Sequence, residues 1–291
     1  MSLPQPVPPS WKDLGKASKD LLDKDYPFSS NSIEVNTKAN DVAFKVTGND
    51  AGGNPSGELE AKFNNKKHGF AVTQTWTTSN FLKSNFELEN VFAKGTKVEL
   101  NTVLQPEKQT KSALVQTTYK QSGFNVHSAL DVFKGPTFTA DAVFGRDGFL
   151  VGGEASYDVT GGNIARWAAA VGYNAPEYAV TIHGLNNFKK FSASYYHRVN
   201  PDVEAGAKAV YDSKATTGGV ALEVGAKTYL DPSSFVKTKI SNTGVLALGY
   251  TQALRPGVKV SLGLAVDTQK LNTISPTGPA HKIGASFVFT S

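Results

Sequence analysis

The residue types best suited to catalysis and metal binding are few in this chain, and their spacing does not bring them together. Its 5 histidines are scattered over 291 residues without the helical HxxxH spacing that directs two imidazoles at one metal. There is no G-x-S-x-G nucleophile motif, no Walker loop and no dinucleotide fingerprint. The chain has no cysteine, which excludes thiolate chemistry, cysteine-rich zinc sites and disulfides. We therefore expect no enzyme, no metal and no cofactor.

Lysine is the charged residue whose pattern indicates a function. Lys and Arg number 30 against 25 Asp and Glu, which gives a net charge of +5 and a pI near 9.1. A positive chain favours negative partners such as phosphate metabolites, anionic lipid or nucleic acid. The bases are interspersed with acids rather than gathered in one patch, so nucleic-acid binding is not favoured. The predicted chemistry is attraction of small anions, and it depends on where the lysines are held.

The elements that hold these lysines are alternating strands. Between Phe235 and Leu271 apolar residues recur at every second position; Leu246, Leu248 and Tyr250 share one face, and a turn at 255–257 joins two such runs. Each run is about ten residues long, the length that a tilted strand needs to cross the hydrocarbon core, whereas strands of soluble sheets average about five or six. This length predicts a membrane wall.

Similar runs fill the chain from Ser32 to Thr290, about nineteen in all at an average spacing near fourteen residues. An open sheet rarely exceeds about ten strands, so these strands must close, and a barrel of this size encloses an aqueous channel. No apolar run reaches the roughly eighteen residues of a transmembrane helix, and a mean hydropathy of -0.27 suits a wall with one wet face. The predicted fold is all-β, a transmembrane barrel.

Alternation assigns the side chains to two faces. We expect Val, Leu, Phe, Ala and Gly to face lipid, with Trp76, Trp167, Tyr173 and Tyr250 in an aromatic girdle. The other face carries nearly all the charge and is predicted to line the pore. Its lysines include Lys38, Lys45, Lys62, Lys97, Lys208, Lys227, Lys237, Lys239 and Lys259. A soluble sheet with one solvated face explains any single strand equally well, but the chain offers no further helices to cover the apolar side.

The amino-terminal segment has a different pattern. Ser10 is placed to cap an amphipathic helix whose apolar residues Trp11, Leu14, Leu21 and Leu22 recur at helical spacing. The charged residues on its other side include Lys12, Lys16, Lys19, Asp20 and Asp23. Neither a secretory signal nor an Arg-rich transit peptide is evident. The predicted organisation is one domain over residues 1–291, with the segment and helix in 1–27 and the barrel in 28–291.

Several motifs are specific enough to identify a family. Residues 231–242 read DPSSFVKTKISN and are followed by ALGY at 247–250; together they resemble the signature of the eukaryotic porins, the voltage-dependent anion channels of the mitochondrial outer membrane. One departure is Thr228, where that signature has Tyr or His. Residues 11–24 are similar to the family's lumenal helix, and the similarity runs essentially from end to end.

This resemblance implies a fold and a function. The family's barrel has about 19 strands, an odd number that requires parallel pairing of the first and last strands, here near Ile33–Ala39 and Lys282–Thr290. The implied function is a voltage-gated, weakly anion-selective pore for passive diffusion of ATP, ADP and phosphate across the mitochondrial outer membrane. Membrane lipid surrounds such a pore, and homo-oligomers and other outer-membrane proteins are the implied partners.

The resemblance also implies roles for individual positions. Gln74 takes the place of a lipid-facing Glu of animal members, and its neutral amide avoids a charge that costs roughly 2–4 kcal/mol at mid-membrane. Gly95-Thr96-Lys97 is the counterpart of a Gly-Leu-Lys nucleotide motif with its middle residue changed. Ordinary strand packing is the competing explanation for the strand positions among the implied nucleotide contacts. Those contacts are Lys16, Lys24, Val245, Leu246, Ala247, Gly263, Leu264, Ala265, Val266 and Asp267.

Two expectations concern mechanism. Lys12 and the helix lysines Lys16, Lys19 and Lys24 should line the pore, and the last three should form a cationic constriction with wall lysines such as Lys237 and Lys239. Four aspartates balance the four lysines of this segment, so the wall lysines are expected to carry much of the gating charge. A soluble lipid-binding barrel is the remaining alternative, although about eight strands would suffice for it.

Overall fold

The computed structural model describes residues 6–28, 30–65, 67–133, 135–214, 219–271 and 280–291. The first five residues of the predicted amino-terminal segment lie outside this part. Within the described residues the chain forms a 3-10 turn (Trp11–Asp13), one helix, α1 (Lys16–Asp23), and 19 strands. The strands are β1 (Asn31–Ala39), β2 (Val42–Ala51), β3 (Asn54–Asn65), β4 (Phe70–Thr77), β5 (Leu82–Glu89), β6 (Thr96–Gln105), β7 (Thr110–Gln121), β8 (Phe124–Asp131), β9 (Thr137–Arg146), β10 (Phe149–Asp158), β11 (Asn163–Asn174), β12 (Tyr178–Leu185), β13 (Lys190–Asn200), β14 (Val203–Asp212), β15 (Val220–Asp231), β16 (Ser234–Ser241), β17 (Val245–Arg255), β18 (Val258–Asp267) and β19 (His281–Thr290).

The strands close into one barrel. Strands adjacent in sequence pair antiparallel, and β1 pairs with β19 in parallel, from Ser32 opposite Ser286 to Asn36 opposite Thr290. The parallel seam follows from the odd strand number, because the chain reverses direction at each turn. The predicted closed barrel of about nineteen strands, with its parallel closure, is confirmed.

The outer surface is apolar because alternate side chains of each strand point away from the lumen. On β17, Leu248 is 37% exposed while its neighbour Ala247 is 0% exposed. Trp76 and Trp167 are also exposed, at 61% and 41%. A continuous surface of exposed apolar side chains around a closed sheet is the surface that membrane hydrocarbon covers.

The signature at residues 231–234 forms the turn between β15 and β16. The backbone N–H and hydroxyl of Ser233 donate to Asp231 Oδ1 at 2.7 and 2.6 Å, and the Ser234 hydroxyl donates to Asp231 Oδ2 at 2.6 Å. A short aspartate side chain that accepts such bonds closes the turn locally. The turn therefore sets the start of β16, the strand that carries Lys237.

The amino-terminal helix differs from the prediction. The Ser10 side chain does not cap α1; the Ser10 hydroxyl donates to Asp13 Oδ2 at 2.7 Å, and the 3-10 turn ends at Asp13, before the extended Leu14. Helix α1 begins only at Lys16, because Gly15 adopts a left-handed conformation with φ +72° that interrupts the helix. The predicted single helix from Ser10 is therefore wrong, although α1 itself lies in the lumen as expected.

Candidate functional site: the lumen and its amino-terminal belt

The lumen contains residues 6–28, hereafter the N-terminal belt, which lie along the inner wall. The Pro6 carbonyl accepts a hydrogen bond from the β7–β8 turn, the Ser18 hydroxyl donates to a β14 carbonyl at 3.2 Å, and Asp25 pairs with Lys259 of β18. The belt thus follows the wall in strand order from the β7–β8 turn towards the seam. Its described contacts fall on that side, so the inner wall of β1–β6 is open to the lumen.

The first half of the belt is held by apolar contacts. Trp11 and Leu14 are buried against Val143 of β9 and Leu150 of β10, and Val143 is 0% exposed. The Trp11 ring also meets the His183 ring of β12 edge to face, with centroids 5.7 Å apart. These contacts form the apolar anchor of the belt.

Inward-facing glycines let the belt approach the wall closely. On β17 and β18, Ala247, Gly249, Gly263 and Ala265 face inward beneath the belt, as their alternation with the outward-facing leucines predicts and contrary to the general expectation that alanine and glycine face lipid. A strand glycine often marks close approach of another backbone, and this signal was available in the sequence. The same close approach occurs at glycines of other strands, where an added Cβ would contact belt atoms. The Cβ would lie 3.2 Å from Trp11 at Gly152, 3.3 Å from Leu21 at Gly206 and 2.8 Å from Leu22 at Gly225, compared with 2.8 Å from Pro27 at Gly263.

The second half of the belt is held by a buried lysine. Lys237 Nζ donates to the carbonyls of Asp20 and Lys24 at 3.0 and 3.1 Å and lies 3.3 Å from Asp25 Oδ2. Lys259 Nζ contacts the other carboxylate oxygen of Asp25 at 3.2 Å. Lys237 is only 3% exposed, so, contrary to the prediction, it does not border open pore water. It faces inward, but the belt covers it.

Two titratable groups of the belt have shifted pKa values at this polar anchor. Burial acts to raise the pKa of Asp25, but the ammonium groups of Lys237 and Lys259 outweigh it and hold the pKa below its ordinary value. Burial raises the pKa of Tyr26, and the nearby Asp25 carboxylate adds to the effect. At neutral pH Asp25 is therefore charged and Tyr26 neutral, which are the forms that the contacts require.

The other predicted pore lysines face the lumen, and many are paired with acids. On the open wall, Lys45 lies 2.9 Å from Glu34, and Lys97 lies 2.9 Å from Glu99 and 3.2 Å from Glu87. The longest such pair joins Lys62 to Glu87 at 3.9 Å. Lys16 and Lys24 form exposed pairs with Asp13 and Asp20 on the belt. Exposed pairs of this kind contribute little stability.

A second group of the predicted pore lysines has no acidic partner within 4 Å among the described residues: Lys12, Lys19, Lys38, Lys208, Lys227 and Lys239. Lys227 instead hydrogen-bonds to the Tyr229 hydroxyl and lies over the Tyr229 and Phe235 rings at 4.1 and 4.5 Å. Lys239 lies over the Tyr26 ring at 5.2 Å. Aromatic faces hold a cation in place without neutralising it. These ammonium groups remain available to anions in the lumen.

The acids show a different arrangement along the barrel. Several strands end on an acidic residue, which places carboxylates at the mouths of the barrel. The strands β5, β8, β10, β14, β15 and β18 end on Glu89, Asp131, Asp158, Asp212, Asp231 and Asp267. Two strands, β9 and β17, end on an arginine. Three lysines without an acid within 4 Å, Lys208, Lys227 and Lys239, lie inside β14, β15 and β16, where Glu204 and Glu223 stand opposite Lys227 and Lys208 across the β14–β15 pair.

The strand stretches implied in nucleotide contact lie beneath the belt. Ala247 and Ala265 pack against Tyr26, and Pro27 lies directly over Gly263. Leu246, Leu264 and Val266 alternate onto the lipid side, and Val245 and Asp267 stand opposite each other where β17 begins and β18 ends. The belt therefore covers Ala247, Gly263 and Ala265, whereas Val245 borders an open cavity, and the implied contact stays a prediction.

Two other implied positions have clear surroundings. Gln74 lies on the outer face of β4, exposed, with Ala61 and Ser84 opposite it on the neighbouring strands. In the Gly95-Thr96-Lys97 stretch, Gly95 has φ +88° in the turn before β6. The adjacent Lys97 then points into the lumen towards its glutamate partners. Neither position contacts the belt through a described hydrogen bond or ion pair.

Among the described residues, no group of three or more His, Asp or Glu side chains is arranged to hold a metal ion. In the same part of the chain, no helix has the length and apolar character needed to cross a membrane. Sequence reasoning missed three features of the lumen, and all three are contacts of the belt: the glycine positions, the apolar anchor and the Lys237–Asp25 pair.

Comparison with known proteins agrees with this architecture. The family model described as "Eukaryotic porin" matches residues 7–284. The Neurospora crassa "Mitochondrial outer membrane protein porin" is 44% identical, covering 97% of this chain and 99% of that protein. The Candida albicans protein of the same name is 38% identical, covering 98% and 100%. The Saccharomyces cerevisiae "Non-selective voltage-gated ion channel 1" is 35% identical, covering 97% and 99%.

Solved structures give a weaker match. A mutant porin from Rh. blastica aligns with a TM-score of 0.42 at 12% identity, covering 84% of this chain and 90% of that one. The family model and the curated relatives instead extend over nearly the whole chain, and they bear out the resemblance seen in its motifs. The chain belongs to the eukaryotic porin family, the channel-forming β-barrels of the mitochondrial outer membrane.

Proposed function

We propose that the chain forms a voltage-gated, weakly anion-selective channel through which ions and metabolites such as ATP, ADP and phosphate diffuse passively. Members of the porin family are channels, so the chain is not an enzyme and no bond is formed or broken during transport. Voltage gating is carried over from the name of the Saccharomyces cerevisiae relative. Selectivity and cargo depend on the lumen itself.

The observation that carries the anion preference is the distribution of charge along the pore. Lys208, Lys227 and Lys239 lie inside β14, β15 and β16 with no acid within 4 Å among the described residues. Glu204 and Glu223 stand opposite Lys227 and Lys208 in the β14–β15 pair, so away from the strand ends this wall presents three ammonium groups and two carboxylates to the lumen. This field raises the local concentration of anions.

The preference should be mild. The lumen is wet, so charges interact through a high dielectric and are screened within about 8–10 Å at physiological salt. A barrel of 19 strands also encloses a channel wide enough for ions to pass beyond the reach of any one lysine. A weak preference is compatible with the printed name of the Saccharomyces cerevisiae relative, which calls that channel non-selective.

The same side of the lumen offers a place for phosphate-bearing cargo. A cavity of about 430 Å³ is lined by Phe28, Lys208, Lys239 and Val245, among others, and by one carboxylate, that of Glu223. The two ammonium groups outnumber the carboxylate and can attract a phosphate, and the Phe28 ring offers an apolar face to a base. Val245 is one of the residues implied in nucleotide contact. These features support adenine nucleotides as permeants.

Voltage sensing is assigned to the wall rather than to the belt as a whole. Moving one elementary charge across 100 mV yields about 2.3 kcal/mol. The lysines of the belt are balanced by its aspartates, and two of them form ion pairs within it. Displacement of a neutral belt couples weakly to voltage. Wall lysines are therefore the better candidates for the gating charge.

The selectivity proposal can be tested in planar bilayers under a salt gradient. A triple variant, Lys208→Glu, Lys227→Glu and Lys239→Glu, should move the reversal potential towards cation preference. The matched control reverses three exposed turn lysines, Lys67, Lys94 and Lys108, which changes the total charge equally outside the strands. A reversal potential that moves equally in both triple variants, or in neither, contradicts a selectivity set by the inner wall. Self-association and docking of other outer-membrane proteins stay predictions.

A further inference from the structure

The surroundings of Lys237 are unlike those of any other lysine described in the lumen. Its ammonium group has three N–H donors, and three acceptors surround it: the Asp20 carbonyl, the Lys24 carbonyl and the Asp25 carboxylate, at 3.0, 3.1 and 3.3 Å. The side chain is almost completely buried. A buried ammonium is tolerated when its donors are satisfied in this way. Lys237 is thus built into the wall as a docking point for the belt.

The two carbonyls belong to the end of helix α1, where a cation is most effective. The last carbonyls of a helix have no partner within it and carry a partial negative charge. The Asp20 carbonyl also closes the last helical turn by accepting from the Lys24 N–H at 3.3 Å. Lys237 therefore caps α1 from another strand, and it does so where the chain leaves the helix towards Asp25.

The chain after the helix is held by the same group of contacts. Asp25 has φ +61°, a left-handed conformation that a residue with a side chain seldom adopts without support. Its carboxylate bridges Lys237 and Lys259, and Tyr26 then packs on Ala247 and Ala265. Removal of the Lys237 ammonium would leave two helix carbonyls unpaired and weaken the support for this turn.

We propose that Lys237 is a positioning residue that locks the second half of the N-terminal belt to β16 and thereby sets the voltage at which the channel closes. In this proposal the locked belt of the structure corresponds to the open state of the channel. A contact made in one of two states shifts the equilibrium towards that state. Without the Lys237 contacts the open state loses stability relative to any state with a displaced belt, so less voltage is needed to close the channel.

This role differs from that of a lumenal charge, and Lys239 provides the comparison. Lys239 lies two residues further along β16 and faces inward, but it makes no ion pair and no hydrogen bond to a belt carbonyl among the described contacts. Lys237→Met and Lys239→Met remove the same charge from neighbouring positions. Only the first removes the cap of α1.

Asp25→Asn gives a second comparison with the opposite change in charge. It keeps the shape of the side chain but removes the carboxylate that bridges Lys237 and Lys259. The lumen then becomes more positive, whereas Lys237→Met makes it less positive. If Lys237 acts by positioning the belt, both variants loosen the belt. If Lys237 acts only through the charge of the lumen, the two variants shift the voltage of half-closure in opposite directions.

The experiment combines a probe of the belt with a recording of gating. The chain has no cysteine, so Lys19→Cys, an exposed site on α1, can carry a single spin label whose mobility reports whether the belt is docked. The label is read in vesicles without any current. Gating is read in planar bilayers as the voltage of half-closure. The gating part rests on the proposed channel activity, and the label part does not, so failure of one can be distinguished from failure of the other.

The expected result is a mobile label and a lower voltage of half-closure in both Lys237→Met and Asp25→Asn. Lys239→Met should leave the label as immobile as in the parent; as a wall lysine it changes the reversal potential and the steepness of gating instead. Opposite shifts in Lys237→Met and Asp25→Asn, or an equally mobile label in Lys237→Met and Lys239→Met, overturn the proposal. An immobile label in Lys237→Met overturns it as well. Should that variant not insert as a barrel, Asp25→Asn decides the question alone.

Discussion

At the scale of single residues, the sequence predicts which way a side chain points but not what it meets there. Alternation assigns Lys237 and Lys239 to the same face of β16. The structure gives them different surroundings, because one is buried beneath helix carbonyls and the other is only half-buried. The Asp20 carbonyl that binds Lys237 belongs to a residue 217 positions earlier. A contact made by folding one end of the chain back onto the wall leaves no local pattern around either partner.

The lowered pKa of Asp25 makes the docking of the belt depend on pH. A carboxyl group whose pKa is lower in the folded protein than its ordinary value of 3.8 contributes stability above that value. The contribution is lost as the pH falls through the lowered pKa. With a spin label on Lys19→Cys, we expect an immobile spectrum from neutral pH down to about pH 4, and release of the belt only in stronger acid.

The control for this acid release is a carboxylate on the same segment without the same contacts. Asp23 is exposed at the end of α1, so Asp23→Asn should leave the release at the same pH. Asp25→Asn should remove the transition, because the titrating group is gone. If the acid transition persists unchanged in Asp25→Asn, another carboxylate controls the docking of the belt.

At the scale of elements, strand positions were predictable and the docking of the helix was not. Period-two alternation is a local property, so the strands could be found one at a time. The helix pattern was also local, but the break at Gly15 depends on close packing, since a Cβ there would lie 2.8 Å from Ser194 Oγ of β13. Glycines inside strands were the one available sign that another backbone lies against the wall.

Replacing one of these glycines should dislodge the belt and spare the barrel. Valine suits a strand well, so Gly263→Val costs stability only through its contact with the belt. Its Cβ would lie 2.8 Å from Pro27 atoms, and overpacking of this kind costs about 1–3 kcal/mol. We expect a mobile label at Lys19→Cys and a lowered unfolding temperature.

A strand glycine with free space provides the matched control. A Cβ added to Gly48 on β2 meets nothing within 4 Å, so Gly48→Val should leave label mobility and unfolding temperature almost unchanged. Equal effects of the two substitutions would mean that the strands themselves resist valine. That outcome would contradict the view that the Gly263 position is reserved for the belt.

At the scale of the whole molecule, closure was predictable because so many strands leave no other arrangement for a single sheet. The asymmetry of the lumen was not predictable. Belt and wall contacts cover the side from the β7–β8 turn to β19, and the wall of β1–β6 keeps its charged pairs open to water. Strands on both sides of the barrel have the same alternating pattern, so only the path of the belt distinguishes the covered wall from the open wall.

The parallel seam is the place where the closed barrel is expected to open first. Its described register joins only Ser32–Asn36 to Ser286–Thr290, and parallel pairs are slightly less stable per residue than antiparallel ones. The Ser32 and Ser286 hydroxyls face each other across it at 2.8 Å. Two cysteines at these positions could therefore form a disulfide, and with no native cysteine the pairing is unambiguous.

We expect the Ser32→Cys, Ser286→Cys variant to gain about 2–4 kcal/mol when oxidised, since the bond closes a very long loop and joins the weakest pairing. The gain should appear as a higher unfolding temperature that reverts on reduction. Thr251→Cys, Ser261→Cys is the matched control, because those hydroxyls lie 2.9 Å apart on antiparallel strands only 10 residues apart in sequence. Its gain should be smaller, since a short loop loses less entropy and β17–β18 is not where opening begins. Equal gains in the two oxidised variants would show that unfolding does not start at the seam.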